Sequence, residues 1–326
     1  MPHTRLAPTF LVGASQMVVA GAMTPLVPLY AVSLGASPTM VGIVAASSAA
    51  LPLALGIWTG AAVDILGSRW MSVGGALGLA LSAAILGGAP TVGWIVVGQA
   101  IAGMSNTVII VANQTSVAQA SHAGNRDRNF GFFAFWVSVG MLLGPLAGGF
   151  LADGFSIRIA LYACAALALV PCVLALRIPG PAPVAGGPEP GMRPLRAESV
   201  YQAGWRLAQR RETAFVMLVA FVVIFAWSIK TSFYPLYLQS VGLSTASIGI
   251  IFSFFGASQM VVRPLIGTVA GRVDRRSVLM AAMILATLSI GATPFLVGFA
   301  TAATTAIASY LLIGWLGPAG GSGPAG

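Results

Sequence analysis

The sequence predicts an all-α integral membrane protein built from two related halves, and three observations carry this prediction. Charged residues make up only 7% of the 326 residues, against roughly a quarter in an ordinary soluble domain. Apolar runs of about 17 to 26 residues recur, each long enough to cross a hydrocarbon core about 30 Å thick. Part of the sequence also repeats at an offset of 207 residues. A soluble chain of this length would need a charged surface that these residues cannot build.

Ten apolar segments are predicted to be membrane-spanning helices. In chain order they cover residues 8–33, 39–62, 70–88, 92–117, 129–151, 158–176, 214–238, 245–270, 277–297 and 300–316. The longest polar interruption is rich in proline, glycine and arginine and falls after the sixth segment. It divides the chain into an N-terminal six-helix bundle (1–177), a cytoplasmic linker (178–213) and an incomplete C-terminal bundle of four helices (214–326).

The positions of the arginines predict the orientation in the membrane. If the N-terminus is cytoplasmic, thirteen arginines fall in inside loops and only Arg158 falls outside. Cytoplasmic loops carry such an excess of basic residues. We therefore expect a multi-pass protein of the bacterial cytoplasmic (inner) membrane, with its N-terminus inside. The net charge of +9 then reflects orientation signals, and no nucleic-acid partner is predicted.

The internal repeat relates the two halves. Residues 28–44 and 235–251 are identical at eight of seventeen positions, and the same offset pairs Thr24 with Thr231 without a gap. The match includes loop residues in register, which a general resemblance between membrane helices does not explain. Because the first half holds an even number of spans, both halves should insert the same way up.

Two motifs resemble those of the major facilitator superfamily of transporters. The first follows the second span as Gly60-x-x-x-Asp64-x-x-Gly67-x-Arg69, with Ile65 and Ser68 where basic residues are usual. A degenerate copy lies one repeat later and includes Gly267, Asp274 and Arg276. Glycines allow a tight turn there, and Asp64 and Arg69 could pair at the membrane surface. In the family, the acidic residue of this loop holds the cytoplasmic side shut, so the resemblance implies a gating motif.

The second motif lies in the fifth span and is the most specific signal in the chain. It comprises Gly140, Gly144, Pro145, Gly148 and Gly149. Glycines four residues apart clear one helix face for another backbone, and Pro145 removes a backbone hydrogen bond. The sequence resembles the fifth-helix motif that the family's antiporters carry, especially its drug and metabolite exporters. The resemblance implies a fold of two six-helix bundles, of which this chain would hold six and four helices.

Polar residues within the spans are the candidates for a substrate cavity. Gln99, Asn106 and Asn113 recur every seven residues and so share one face of the fourth span. Amides are costly in lipid, so this face should meet a partner helix or a water-filled cavity. The family often has arginine where Gln99 stands, and this departure weakens the case for proton coupling. The other candidates are Thr24 in the first span and Trp227, Lys230, Thr231 and Tyr234 in the seventh.

Lys230 is the only lysine in the sequence and lies inside the seventh span. It could attract an anionic group of a substrate or lose its proton during a transport cycle. It could equally extend its four-carbon stem to the outer membrane surface. The sequence leaves these alternatives open.

The motifs together predict a secondary active transporter that exports a small molecule by alternating access, with proton antiport as an option. The alternatives are an uptake transporter for a nutrient or organic acid and a non-transporting remnant. No nucleotide-binding loop and no protease motif is found in the sequence, so we expect no enzyme activity, no cofactor and no metal site. The expected partners are the lipid bilayer, a small-molecule substrate and protons, without an obligate protein partner.

The repeat also predicts where the second half should end. The sixth span ends near Arg177, and adding the offset of 207 gives residue 384, whereas the sequence closes at 326 with a run of glycine, proline and alanine. We therefore expect a chain cut short after its tenth span.

Overall fold

A computed structural model describes residues 3–122, 124–179, 209 and 211–269. The predicted ninth and tenth spans, almost all of the linker, and the motif residues Asp274 and Arg276 lie outside the described residues. The described elements are all helical. They are α1 (His3–Ser33), α2 (Pro38–Gly88), α3 (Val92–Gln119), α4 (Arg126–Gly154), α5 (Ile157–Leu167), α6 (Leu169–Ala175), α7 (Arg211–Ser240) and α8 (Thr245–Val269).

Six segments of the described chain are long and apolar enough to cross a membrane, and a shorter apolar segment covers Thr245–Met260. The six correspond to the first six predicted spans, and their largest difference in bounds lies between the second and third, at Pro38–Gly56 and Trp58–Gly88. α7 and α8 correspond to the seventh and eighth predicted spans. The all-α membrane fold that composition predicts is therefore confirmed.

The predicted loop between the second and third spans is much longer than the break found in the structure, so this prediction is wrong. α2 holds both spans, and helical geometry is interrupted only at Gly67, where φ is 80° and ψ is 152°. A positive φ is readily adopted only by glycine, so a single residue makes the break that seven residues were expected to form. Gly60 and Asp64 consequently lie within a helix rather than in a loop.

The sixth predicted span is divided between α5 and α6 at Ala168. Pro171 lies four residues after Leu167 and has no backbone N–H, so it cannot donate to the Leu167 carbonyl. The interruption is local because the N–H of Ala168 still donates to the carbonyl of Cys164 at 2.9 Å.

The core of α1–α6 consists of fully buried aliphatic side chains surrounded by small residues. The central side chains are Leu26, Leu79, Leu86, Ile95, Ile109 and Leu161. Lipid tails are as apolar as leucine, so close packing and interhelical hydrogen bonds, rather than escape from water, hold such helices together. Between α2 and α3, one such bond runs from the Ser82 hydroxyl to the Gly98 carbonyl at 2.9 Å.

The internal repeat is visible in the backbone of two turns. α1 ends at Ser33 and α7 at Ser240, and each is followed two residues later by a glycine with positive φ, 84° at Gly35 and 90° at Gly242. The N–H of Ala36 donates to the Ala31 carbonyl, and the N–H of Leu243 donates to the Leu238 carbonyl. These are the bonds of a Schellman motif, which closes a helix through a left-handed residue.

The helix starts after these turns match as well. The Ser37 hydroxyl accepts from the N–H of Met40, and the Ser244 hydroxyl accepts from the N–H of Ser247, each at 3.3 Å. Every equivalent pair is separated by 207 residues, the offset found in the sequence. The repeat therefore extends to the backbone hydrogen bonds of this connection.

Candidate functional site

A cavity of about 260 Å³ lies between α1, α2, α3 and α7. It is therefore lined by three helices that precede the linker region and one that follows it. Its walls combine small apolar side chains with uncharged polar ones. The polar lining residues are Thr24, Ser48, Gln99, Asn106, Ser228, Thr231 and Ser232.

Four of the predicted candidates line this cavity. They are Thr24, Gln99, Asn106 and Thr231. Thr24 and Thr231 are paired by the repeat, and both contribute hydroxyl groups, from α1 and α7 respectively.

Four hydroxyl groups of the wall are held by their own helices. Each of the four donates its proton to a backbone carbonyl three or four residues earlier. The donors and distances are Thr24 to Ala20 (2.8 Å), Ser48 to Ala45 (2.8 Å), Thr231 to Trp227 (3.1 Å) and Ser232 to Ser228 (2.8 Å). A hydroxyl has one proton and two acceptor lone pairs. These oxygens can therefore act as acceptors towards the cavity.

Asn106 is positioned from behind by a residue that the sequence-based prediction missed. The Gln16 side chain on α1 is 1% exposed, and its Nε2 donates to Asn106 Oδ1 at 3.0 Å and to the Asn106 backbone carbonyl at 3.3 Å. Gln16 is the only glutamine of the first span, and a lone amide in an apolar helix is a signal that could have identified it.

Asn113 shares a helix face with Asn106 but is not part of the cavity wall among the described residues. Its side chain is fully buried, and neither amide atom has a hydrogen-bond partner within the described part of the chain. Nearby, Thr9 Oγ1 and Ser116 Oγ lie 3.1 Å apart between α1 and α3. The polar stripe of α3 thus lines the cavity in its first half and is packed within the bundle in its second half.

Trp227, Lys230 and Tyr234 are also absent from the described cavity wall. Trp227 stacks on Phe255 of α8 with ring centroids 3.9 Å apart. Tyr234 packs in a cluster that includes Phe252 of α8. Since successive residues of a helix are about 100° apart, Lys230 lies about 160° around α7 from the cavity-lining Ser228.

The Lys230 ammonium lies against an aromatic ring. Its Nζ is buried, is 5.8 Å from the centroid of Tyr234, and has no hydrogen-bond partner among the residues that the structure describes. A distance below about 6 Å allows a cation–π interaction. The geometry therefore places Lys230 beside the contact between α7 and α8 and on another side of α7 from the cavity.

The serines of α7 are the other lining residues that sequence reasoning missed. Ser228 and Ser232 lie one helical turn apart on the face that also carries Thr231. Three hydroxyl residues within five positions of an apolar span form a recognisable pattern. The sequence-based prediction instead followed the larger side chains of the same helix.

The glycine motif of α4 packs against two helices at once. A Cβ at Gly140 or Gly144 would overlap the carbonyl oxygens of Ala14 and Val18 on α1, and one at Gly148 would lie 2.9 Å from the Ala22 Cβ. On the other side, a Cβ at Gly149 would lie 2.8 Å from the Thr245 carbonyl oxygen of α8. Glycine is thus required on both faces by neighbouring backbones.

Pro145 completes the contact with α8. A Cβ on Gly249 of α8 would overlap the Pro145 carbonyl oxygen. At the end of the same contact, Asp153 Oδ1 accepts a hydrogen bond from the backbone N–H of Thr245 at 3.1 Å. That N–H belongs to the first turn of α8, where a carboxylate is favoured by the helix dipole. The motif therefore brings α4 against α8.

The expected pair between Asp64 and Arg69 is not formed in the described structure. Arg69 Nε donates instead to the Ile178 carbonyl at 2.6 Å, and Asp64 is exposed on α2. The reason is the helical path of residues 60–66, because Gly67 alone separates the segment that carries Asp64 from the one that carries Arg69. Arg69 thereby ties the start of the third span to the end of the sixth.

The cavity wall is electrically neutral. No charged side chain among the described residues lines it. Within the same residues, no group of three or more His, Cys, Asp and Glu side chains could hold a metal ion. The arrangement can bind a small molecule through hydrogen bonds between two sets of helices.

Curated relatives of this chain are drug-efflux proteins. It is 28% identical to Multidrug resistance protein 2 of Bacillus subtilis over 173 residues, which cover 52% of this chain and 43% of that protein. It is 23% identical to the Quinolone resistance protein NorA of Staphylococcus aureus over 156 residues, covering 48% of this chain and 40% of NorA. The matched region thus spans less than half the length of these relatives.

Solved structures with the same fold are membrane transporters. The nucleoside transporter NupG superposes with a TM-score of 0.75 at 17% identity, over 96% of this chain and 80% of that structure. An inward-facing bacterial homologue of the human lysosomal transporter Spinster gives a TM-score of 0.73 at 17% identity, over 97% of this chain and 74% of that structure. A D-xylose–proton symporter gives a TM-score of 0.63 at 15% identity, over 98% of this chain and 80% of that structure.

A match to a protein family supports the same assignment as the helical fold, the glycine motif and the repeat. The model described as Major Facilitator Superfamily matches residues 9–324, nearly the whole sequence. The chain belongs to the major facilitator superfamily of membrane transporters.

Proposed function

We propose that this protein is a secondary active transporter that exports a small molecule by alternating access, with the cavity between α1, α2, α3 and α7 as its substrate site. The observation that carries the proposal is the position of this cavity. It is lined by helices from both sides of the linker region, so movement between them would change access to it. Transporters of this architecture bind their substrates between repeats that rock against each other.

Export rather than uptake is supported by two observations. The glycine motif of α4 packs against α1 and α8 at backbone distance, and in the sequence it resembles the motif of antiporters. The curated relatives are named for multidrug and quinolone resistance. Proton antiport is the option for coupling that the pH gradient of the vesicle experiment tests.

Uptake is the second candidate, and one feature of the site favours it. The cavity wall carries uncharged polar side chains from four helices, which suits nutrients such as nucleosides or sugars, and two structural neighbours are a nucleoside transporter and a sugar symporter. Both candidates share the site and differ in direction.

The arrangement in the membrane also belongs to this proposal. The arginine distribution supports a cytoplasmic N-terminus, with residues 1–177 as one bundle, 178–213 as a cytoplasmic linker and residues from 214 onwards as the second bundle. The gating role of Gly60, Asp64, Gly67, Arg69 and the second copy at Gly267, Asp274 and Arg276 remains a prediction.

Vesicle transport in both orientations tests the direction. We expect inside-out vesicles to accumulate a substrate when acidified inside, and right-side-out vesicles not to concentrate it. Ser228→Leu should abolish accumulation by filling the cavity, whereas Ser240→Leu, at the exposed end of α7, should leave it intact. Accumulation by right-side-out vesicles alone would favour uptake. Equal activity of Ser228→Leu and the unsubstituted chain would refute the site.

A further inference from the structure

The polarity of the cavity wall constrains the substrate, and this inference rests on the proposed function of the cavity. The hydroxyl oxygens of Thr24, Ser48, Thr231 and Ser232 have their protons engaged by backbone carbonyls. Towards the cavity they are therefore acceptors, and they come from three different helices. A ligand that satisfies them must carry several donor groups.

The orientation of the Asn106 amide can be deduced from its neighbours. Amide nitrogen and oxygen atoms are distinguished by their hydrogen-bond partners. The Gln16 atom 3.3 Å from the Asn106 backbone carbonyl must be the nitrogen, because a carbonyl oxygen only accepts. The Asn106 side-chain atom that lies 3.0 Å from this nitrogen is then the oxygen. Both assignments follow because the Asn106 backbone carbonyl can only accept a hydrogen bond.

The consequence is that Asn106 offers a donor to the cavity. Its Oδ1 accepts from Gln16 Nε2, which fixes Nδ2 as the donor end of the amide, and Asn106 lines the cavity. Gln16 is buried behind it and is not part of the described wall. A ligand therefore needs an acceptor, such as a carbonyl oxygen, opposite Asn106.

The lack of charge on the described cavity wall and the volume of the cavity further restrict the class of ligand. An ionised ligand entering this wall would lose hydration without meeting an opposite charge on a described lining residue, at a substantial cost in free energy. The volume of about 260 Å³ is just below the range of about 300–1,000 Å³ that is typical of pockets for drug-sized ligands. The site therefore suits a compact neutral molecule.

We propose that the cavity binds a compact, uncharged molecule with several hydroxyl or N–H donors and a carbonyl acceptor, and that Gln16 determines specificity by holding Asn106 as the donor to that acceptor. Gln16 is a positioning residue in this arrangement, since it acts through Asn106.

Ligand binding to the purified full chain in detergent tests the substrate class. The probes are two neutral molecules, uridine and N-acetylglucosamine, the cation tetraphenylphosphonium and the anion benzoate, compared by titration calorimetry. We expect saturable binding of at least one neutral probe, abolished by Ser232→Leu, and at least tenfold weaker binding of both ions. Failure of both neutral probes to bind a chain that unfolds cooperatively would overturn the proposal. Tighter binding of either ion at a site blocked by Ser232→Leu would do the same.

A double-mutant cycle tests the role of Gln16. Gln16→Leu and Asn106→Leu should each weaken the neutral probe by about 2- to 12-fold, the range expected for loss of one neutral hydrogen bond. Combined, they should weaken it no more than Asn106→Leu alone, because Gln16 acts through Asn106. Additive losses would overturn this role. The matched control is Asn113→Leu, on the same helix but away from the described cavity wall, which should leave the affinity unchanged.

Transport measured in parallel separates this inference from the proposed function. If vesicles move tetraphenylphosphonium but the purified chain binds neither neutral probe, the substrate class is wrong and the transporter assignment stands. If a neutral probe binds the cavity but is moved in neither vesicle orientation, the substrate class stands and the proposed transport fails.

Discussion

At the scale of single residues, polar side chains on one helix have different roles because of what each helix face meets. On α7, Thr231 and Ser232 line the cavity. Lys230, which precedes Thr231 in the sequence, lies beside the aromatic contacts with α8. On α3, Asn106 lines the cavity and Asn113 is fully buried away from its described wall. A polar residue inside a span is therefore a candidate, and only the packing of its helix assigns its role.

We predict that Lys230→Met raises the thermal stability of the protein and leaves ligand affinity unchanged. The Nζ atom is buried without a hydrogen-bond partner in the described residues, and we expect the nearby Tyr234 ring to offset only part of the cost of burying a charge. The check is the unfolding temperature of the purified chain, with affinity for the best-bound probe measured on the same sample. Ile229→Met is the control at an exposed neighbouring position. A loss of affinity specific to Lys230→Met would return this residue to the substrate site.

At the scale of helices, glycine spacing determines how closely α4 can approach its neighbours. Gly140 and Gly144 leave room for α1 backbone carbonyls, while Gly149 leaves room for α8. The spacing of four residues that predicts one packing face is correct for α1. Pro145 and Gly149, which contact α8, lie outside that spacing. The sequence shows this departure but does not identify α8 as the partner helix.

Gly144→Ala should lower the stability of the protein, whereas Gly131→Ala on the same helix should not. The new Cβ at position 144 would overlap the Val18 carbonyl oxygen, and Gly131 has nothing within 4 Å of an added Cβ. Overpacking of this kind costs about 1–3 kcal/mol, while alanine in place of an unconstrained helical glycine stabilises by about 0.5–1 kcal/mol. Unfolding temperatures of the two variants provide the comparison. Equal changes in both would mean that α1 and α4 are not in backbone contact.

At the scale of the whole molecule, the contact between Asp153 and the start of α8 joins the two sides of the linker region near one end of the helices. The carboxylate accepts from the Thr245 N–H at a helix terminus that favours a negative charge. α4 and α8 pack together next to it through Gly149 and Gly249. We expect opening of the cavity towards this end to separate α4 from α8 and so to break this hydrogen bond.

Asp153→Ala is therefore predicted to increase access to the cavity from the Asp153 end, which lies outside in the orientation that we propose. The measurement is labelling of Ser232→Cys by a membrane-impermeant maleimide in intact cells, in a background with Cys164→Ala and Cys172→Ala. We expect faster labelling when Asp153→Ala is added. Asp127→Ala, at the N-terminal end of α4, is the control. An unchanged labelling rate would show that the Asp153 contact does not restrict access.

The structural class, the repeat and the family could all be predicted from the amino-acid sequence. Three features belong to the sequence itself: the lengths of its apolar runs, its small number of charges and the 207-residue offset. Any structure of this chain must be consistent with them. They predicted the described spans closely because a membrane-spanning backbone must satisfy its hydrogen bonds internally and so forms helices. The repeat also includes equivalent backbone hydrogen bonds around Gly35 and Gly242, which the sequence comparison did not predict.

Which polar groups meet depends instead on tertiary packing. Thr24, Gln99, Asn106 and Thr231 reach one cavity, and Gln16 orients Asn106 from a helix 90 residues earlier in the chain. Arg69 bonds to the Ile178 carbonyl rather than to Asp64, five residues away in sequence. Periodicity defines a face of a helix, but the rotation of that face towards a cavity, a neighbour or lipid depends on packing with distant segments. That packing joins segments far apart in the chain, so a local pattern can indicate a contact face without identifying its partner.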